Sequence, residues 1–296
     1  MDTVTADQIR ITPVTGTFGA KIEGLDIAGE LTPETVELLR RALQEHRLIF
    51  FPRQLVDTGQ LVEFARRFGT LLPGHPIKPC LPGYPEVWGN PSGNLTEWDS
   101  TPRDRYNRFE TAWHSDGTFL PEPPSTTMLY AKQVPAAGGD TMWTDLANAY
   151  DRLSAPLRKM VDELRAVHDP FKQFAPLLNG DTDERIKEGI RKLSPTVHPL
   201  VRVDPVTKRR SLLLNPTCVT HIEGLTQLES DLLIDLLLAH TLIPERTVRW
   251  KWHEGDIALW DNQSITHNVV LDYGEQERLL YRLTYVGKPI EGHAGA

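Results

Sequence analysis

The chain has 296 residues, 40% hydrophobic and 24% charged, with a net charge of −8. That is length enough for a sizeable core and a composition ordinary for a globular protein. The acidic balance, with no Lys/Arg run denser than Lys208–Arg210, argues against a nucleic-acid binder and for a small-molecule partner. Two cysteines, Cys80 and Cys218, lie far apart without CxxC spacing, which speaks against a disulfide framework and fits a reducing compartment. The opening MDTVTADQIRITPV lacks the basic and apolar regions of a secretory signal, and no apolar run approaches the ~18 residues of a membrane span. A cytoplasmic location is expected.

Along the chain, Thr32 followed by Pro33 predicts a helix start, and Val36, Leu39 and Leu43 carry the helical spacing. RLIFFP then reads as a short apolar strand ended by proline. DTGQLVEFARRFG reads as a second helix stopped by glycine. From His75 to Glu110 prolines and glycines are frequent, which predicts a long loop with short strands. AWHSDGTF, STTMLYAKQV and DTMWTD follow as strand-like pieces. A helix pair is expected at roughly Asp145–Leu153 and Ala155–Val167, the second capped by Ser154. The polar segment of about 169–193 fits a lid or excursion. Strands are expected at Val197–Val203 and in RRSLLLN, with Lys208–Arg210 at a hairpin tip. Thr226 and Glu229 have capping-box spacing for one more helix. Three strand-like runs close the chain, TVRWKWHEGDIALWDN, SITHNVVLDY and RLLYRLTYVG. Short, evenly spaced strands predict a mainly β jelly roll with peripheral helices, folded as a single domain over 1–296.

The chemistry starts at WHSD. If Ala112–Phe119 is extended, His114 and Asp116 point to the same face. An isolated HxD is common by chance, so a third ligand is needed. His267, in WDNQSITHNVV, is the best candidate. Two histidines and one carboxylate form a facial triad suited to non-haem Fe(II), and zinc accepts the same set with water in the fourth position. Arg278 and Arg282, four apart on a predicted strand, share a face and could fork carboxylates or sulfonates. An ordinary solvent-facing charged strand is the competing reading of that pair.

Taken together, WHSD, GGDTMWT, WDNQSITH and DYGEQERLLYR resemble the taurine dioxygenase family. These are iron(II)- and 2-oxoglutarate-dependent oxygenases that include 2,4-dichlorophenoxyacetate dioxygenase and alkylsulfatase members. The resemblance runs from GAKIEGLDI to YRLTYVG and includes an arginine eleven residues beyond the distal histidine. It implies a double-stranded β-helix of cupin-like type. It assigns His114, Asp116 and His267 to iron. Arg278 and Thr141 fall to the far carboxylate of the cosubstrate 2-oxoglutarate, and Arg282 to the anionic end of the substrate. His75 and Phe174 match pocket residues. The implied reaction uses O2 to oxidise a C–H bond of a small anion, releasing succinate and CO2. That anion would be a sulfonate, alkyl sulfate, carboxylate or amino-acid derivative. A dimer or tetramer would be in keeping with the family.

Four positions depart from the taurine enzyme's pattern. Glu110 stands for an asparagine, Lys78 for a tyrosine, Cys218 for a pocket-closing phenylalanine, and Gln263 for the arginine usual after WDN. Losing a ring at position 218 predicts a roomier pocket, and Glu110 adds a carboxylate near the substrate. Taurine is therefore not the expected substrate. Two rival classes remain at this level: a zinc hydrolase on the same triad, and a non-catalytic small-molecule binder on the same scaffold.

Overall fold

The structure, a computed structural model, describes residues 3–74, 80–91 and 113–293. Its frame is a pair of facing sheets. The larger has eight strands, in spatial order Arg10–Pro13, Ala20–Glu23, Leu48–Phe51, Ile257–Asp261, Thr126–Gln133, Leu279–Thr284, Tyr84–Pro91 and Cys80–Leu81. The smaller contains Thr247–Trp250, Thr141–Asp145 and Ile265–Val269. An isolated antiparallel bridge adds His114 beside His267. This is the jelly roll expected from the strand spacing.

Alternation along the central strands explains the layering. In Leu48–Phe51, Ile49 and Phe51 join one apolar cluster while Leu48 and Phe50 join another. Ile257 and Leu259 divide from Ala258 and Trp260 in the same way, as do Met128 and Tyr130 from Leu129 and Ala131. Strands covered on both faces read as continuous apolar runs rather than alternating ones, which is why RLIFFP and DIALW carry so little polarity. The inner cluster is aromatic. Trp143 of the small sheet meets Phe50 and Trp260 of the large one edge-on, at ring separations of 5.4 and 5.7 Å.

Helices cover the outer face. Pro33–His46 begins where Thr32 Oγ1 accepts the Thr35 N–H at 3.2 Å, and ends at Arg47 in the left-handed region. It buries Val36, Leu39 and Ala42 against Ile49, Phe51, Ile257 and Leu259. Each such leucine stabilises the fold by about 1.5–3 kcal/mol. Thr58–Arg66 is held by a capping box between Asp57 and Gln60 and adds Leu61, Phe64 and Ala65. No helix among the described residues is long and apolar enough to cross a membrane.

One local expectation is corrected and two are given detail. The second helix of the predicted pair stops at Val161, and Arg165–His168 is a strand between Thr196–Pro199 and Val219–Ile222. Pairing on both edges overrides the helical propensity of that short segment. Within the Pro/Gly-rich stretch, Tyr84–Pro91 forms an eight-residue strand against Leu279–Thr284. The polar excursion contains two helices, Pro170–Asn179 and Glu184–Arg191. They contribute Phe174 and Ile190 to a small cluster with Phe119.

Candidate metal centre

The His-x-Asp segment is not a regular strand. His114 exchanges both backbone hydrogen bonds with His267, N–H to O in each direction at 2.8 Å. The chain then turns over Asp116–Phe119, with Gly117 at φ +61°. A Cβ there would sit 3.0 Å from Pro124 Cδ, so both space and backbone conformation call for glycine. The extended reading of Ala112–Phe119 is therefore replaced, over the described residues, by a bridge followed by a turn. The donors still converge. Asp116 Oδ1 lies 3.7 Å from His114 Nε2 and 3.8 Å from His267 Nε2, and the three ligand atoms all fall within 4.8 Å of one another.

This set fits a divalent metal ion. Metal–nitrogen and metal–oxygen bonds of about 2.0–2.2 Å require donors no more than about 4.4 Å apart, and both contacts of Asp116 meet that. Charge agrees. Burial alone would raise the Asp116 carboxyl, but Arg282 and then the two histidines overcome it and hold the group well below the usual carboxylate range. Burial drives the His267 imidazole well below its ordinary value, and His114 and Arg282 push the same way. One anionic oxygen donor and neutral imidazole are the forms a metal binds. The His267 ring packs edge-on against Trp260 at 4.9 Å, which fixes its plane. Thr127 Oγ1 donates to Asp116 Oδ2 at 2.9 Å, leaving Oδ1 facing the histidines.

Arg278 and Thr141 meet a short way along the same interior. Arg278 Nε donates to Gly139 O at 2.8 Å and Nη2 to Thr141 Oγ1 at 3.2 Å. Trp252 Nε1 donates to the same Thr141 oxygen at 2.9 Å. A hydroxyl has two lone pairs and one proton. Both lone pairs are engaged, so the Thr141 proton is directed to an acceptor other than these two. Burial lowers the Arg278 guanidinium to about 10, which leaves it cationic at neutral pH. Arg278 precedes the strand Leu279–Thr284, and the register shifts between Leu279 and Leu280. The two arginines are thus not four apart on one unbroken strand, although Arg282 is close enough to lower Arg278 further.

Arg282 is buried and donates to Asp116 Oδ1, with its guanidinium 5.1 Å from the Trp88 ring centre. Its Nε is buried and has no partner among the described residues. Phe174 packs edge-on to Phe119 at 5.6 Å, within the turn that follows Asp116. Cys218 is fully buried, its Sγ 3.0 Å from Thr118 Oγ1 and 3.5 Å from His168 Nδ1. Burial pushes its thiol up to about 12. The substitution at 218 thus supports the His-x-Asp turn from behind. Gln263, in place of the usual arginine, donates to Pro123 O at 2.8 Å. His75, Lys78 and Glu110 lie outside the described residues.

Sequence reasoning passed over Thr127, Trp88, Asn215 and Asn262. Asn215 Nδ2 donates to Ser115 O and Thr118 Oγ1, both at 2.8 Å, and so holds the turn from below. Only Asn262 left a signal, since it stands inside the WDNQSITH stretch. Trp88 and Asn215 come from distant segments, and Thr127, although close in sequence to Asp116, stands at no recognisable spacing from it.

The family model described as "Taurine catabolism dioxygenase TauD, TfdA family" matches residues 10–284. The chain is 36% identical to an alpha-ketoglutarate-dependent sulfate ester dioxygenase of Pseudomonas putida, over 95% of this chain and 90% of that one. It is 35% identical to an alkylsulfatase of Acinetobacter baylyi, over 97% and 88% respectively. The crystal structure of a taurine dioxygenase from Burkholderia xenovorans superposes with a TM-score of 0.82 at 36% identity, covering 98% of this chain and 94% of that one. The chain belongs to the TauD, TfdA family and is a 2-oxoglutarate-dependent dioxygenase.

Proposed function

We propose that this protein holds Fe(II) on His114, Asp116 and His267 and uses 2-oxoglutarate and O2 to hydroxylate the sulfate-bearing carbon of an alkyl sulfate ester. The observation that carries the metal reading is the convergence of three donors within 4.8 Å, one of them a part-buried carboxylate held ionised. When bound, the iron supplies the oxidising chemistry for C–H hydroxylation. The chain supplies position and shelter.

Arg278 presents a buried cation, and Thr141 an uncommitted proton, to the distal carboxylate of 2-oxoglutarate. Arg282 offers the substrate anion a guanidinium with a buried Nε that has no partner among the described residues, oriented on Trp88. Such a fork suits the oxygens of a sulfate ester. Two relatives, one acting on sulfate esters and one named an alkylsulfatase, favour that anion over the sulfonates and aryloxy acids. One oxygen atom of O2 would enter succinate as 2-oxoglutarate loses CO2, and the other the substrate carbon. The product then collapses to an aldehyde and inorganic sulfate.

The helices Pro170–Asn179 and Glu184–Arg191 form the lid in this reading. They rest on Phe119, three residues past Asp116, through Phe174 and Ile190. Closure would exclude water from the oxidant. We also assign residues 1–296 to one cytoplasmic domain that assembles as a dimer or tetramer.

Anaerobic addition of Fe(II) and 2-oxoglutarate should produce a weak visible charge-transfer band. In air, linear alkyl sulfates should release sulfate and succinate in equal amounts. The absence of any iron-dependent 2-oxoglutarate consumption would overturn the reaction. Consumption with sulfonates, aryloxyacetates or amino acids but not alkyl sulfates would overturn the substrate. Unchanged alkyl sulfate KM in Arg282→Ala would remove the anion clamp.

A further inference from the structure

We propose that Asn262 is a positioning residue for Asp116, its carboxamide standing in for the strand that is missing beside this metal-binding carboxylate. The inference rests on the metal reading above and deepens it.

In an antiparallel ladder a hydrogen-bonded residue exchanges both its N–H and its C=O with one partner. His114 does so with His267. Two residues on, Asp116 has no such partner among the described residues, because the chain has already entered its turn. Asn262 supplies both missing bonds from a side chain. Its Oδ1 accepts the Asp116 N–H at 2.8 Å, and its Nδ2 donates to Asp116 O at 2.9 Å. The second Nδ2 proton goes to Pro124 O at 3.0 Å, on the far side of the same turn. Asn262 is fully buried, and its own N–H is tied to Ser125 O at 3.0 Å.

Only one orientation of the carboxamide serves. Flipping it would set the amide against the Asp116 N–H and the oxygen against two carbonyls. The peptide groups on both sides of Asp116 are thereby fixed, and with them the direction of its Cβ. Thr127 fixes the other end of the side chain at Oδ2. With both ends held, Oδ1 is directed to the two imidazoles, on the side where Arg282 also donates to it. Asn262 also sits in the turn between Ile257–Asp261 and Ile265–Val269, the strand that carries His267. One short turn thus relates the third ligand to the clamp on the second.

The test is anaerobic Co(II) titration of the full-length protein, read by the visible d–d spectrum and by affinity, with Tm measured in parallel. Asn262→Ala should weaken Co(II) binding about 10–100-fold, as loss of a partner that orients a metal ligand does, and change the spectrum. Asn262→Asp, which keeps an acceptor but sets a carboxylate against two carbonyls, should do the same and carries the test if the alanine variant does not fold. Ser230→Ala, which removes a buried acceptor of the Ile222 N–H on another helix, should lower Tm and leave Co(II) binding unchanged. Wild-type affinity and spectrum in a folded Asn262 variant, at whatever Tm, would overturn the positioning role and leave the metal reading standing. A wild-type protein whose Co(II) binding is indifferent to His267→Ala would overturn the metal reading and this inference with it.

Discussion

The strand pair Ile257–Asp261 and Ile265–Val269, which carries His267, and the helix pair Pro170–Asn179 and Glu184–Arg191, which packs on Phe119, are held very differently. The first strand of the pair is laddered on both edges, to Leu48–Phe51 and to Thr126–Gln133, and its Trp260 lies in the inner aromatic core. The second is laddered to Thr141–Asp145 and bridged to His114. The helices reach Phe119 through a single small apolar cluster. A segment with few buried contacts opens at lower free-energy cost than one paired on both edges. His267 therefore sits where the backbone is over-determined, and the proposed cover rests on fewer buried contacts.

That contrast can be broken at several points. The largest effect is expected from Asp116→Ala, which should abolish metal binding and reduce succinate release at least about 1,000-fold, since no other anionic donor faces the histidines among the described residues. Anaerobic titration and a succinate assay read both. Next, Trp260→Ala should cost about 3–5 kcal/mol in urea unfolding, as for a fully buried ring. Phe174→Ala should cost less than half of that globally while speeding proteolysis within 170–191, because the segment unfolds locally. Equal losses in the two variants would end the distinction between rigid and mobile regions.

Arg278→Ala should raise the KM for 2-oxoglutarate about 30–150-fold, the loss expected for charge-assisted hydrogen bonds worth about 2–3 kcal/mol, with a smaller change in kcat. A shift confined to the alkyl sulfate KM would reassign that arginine. A further effect concerns pH. Burial, helped by His198, pushes His168 down to about 3 from an ordinary 6.5. Between those values the unfolded chain binds a proton that the folded one refuses, so stability is complete above pH 6.5 and falls as pH drops from 6.5 toward 3. His168→Gln should flatten the pH dependence of the urea midpoint in that window. An unchanged slope would show that other groups dominate acid unfolding.

Much of the frame is legible in the sequence because it rests on local rules. Thr32 and Pro33, the Asp57 cap and the Thr226–Glu229 box mark helix starts through nearest-neighbour geometry. RLIFFP and DIALW are recognisable strands because both faces are buried. Arg165–His168 was missed because its partners on either side lie some thirty and fifty residues further along, and short segments take the structure their neighbours offer. The Tyr84–Pro91 strand was obscured in the same way, by prolines at its ends and a partner near the other end of the chain.

For the centre itself, the sequence determined which chemical groups are available: two imidazoles, one carboxylate, two arginines and a threonine, in an order the family shares. It did not determine how Asp116 is aimed. Strand alternation offered one answer, whereas the structure uses a bridge, a left-handed glycine and a borrowed carboxamide. Nor did it show that Cys218 is sealed beneath Thr118 or that Thr127 restrains the carboxylate. Most of these are contacts between segments far apart in the chain, Asp116 and Asn262 being separated by 146 residues. A residue type and a local spacing set what a side chain can do. Where its lone pairs point is decided only once distant backbone is packed around it.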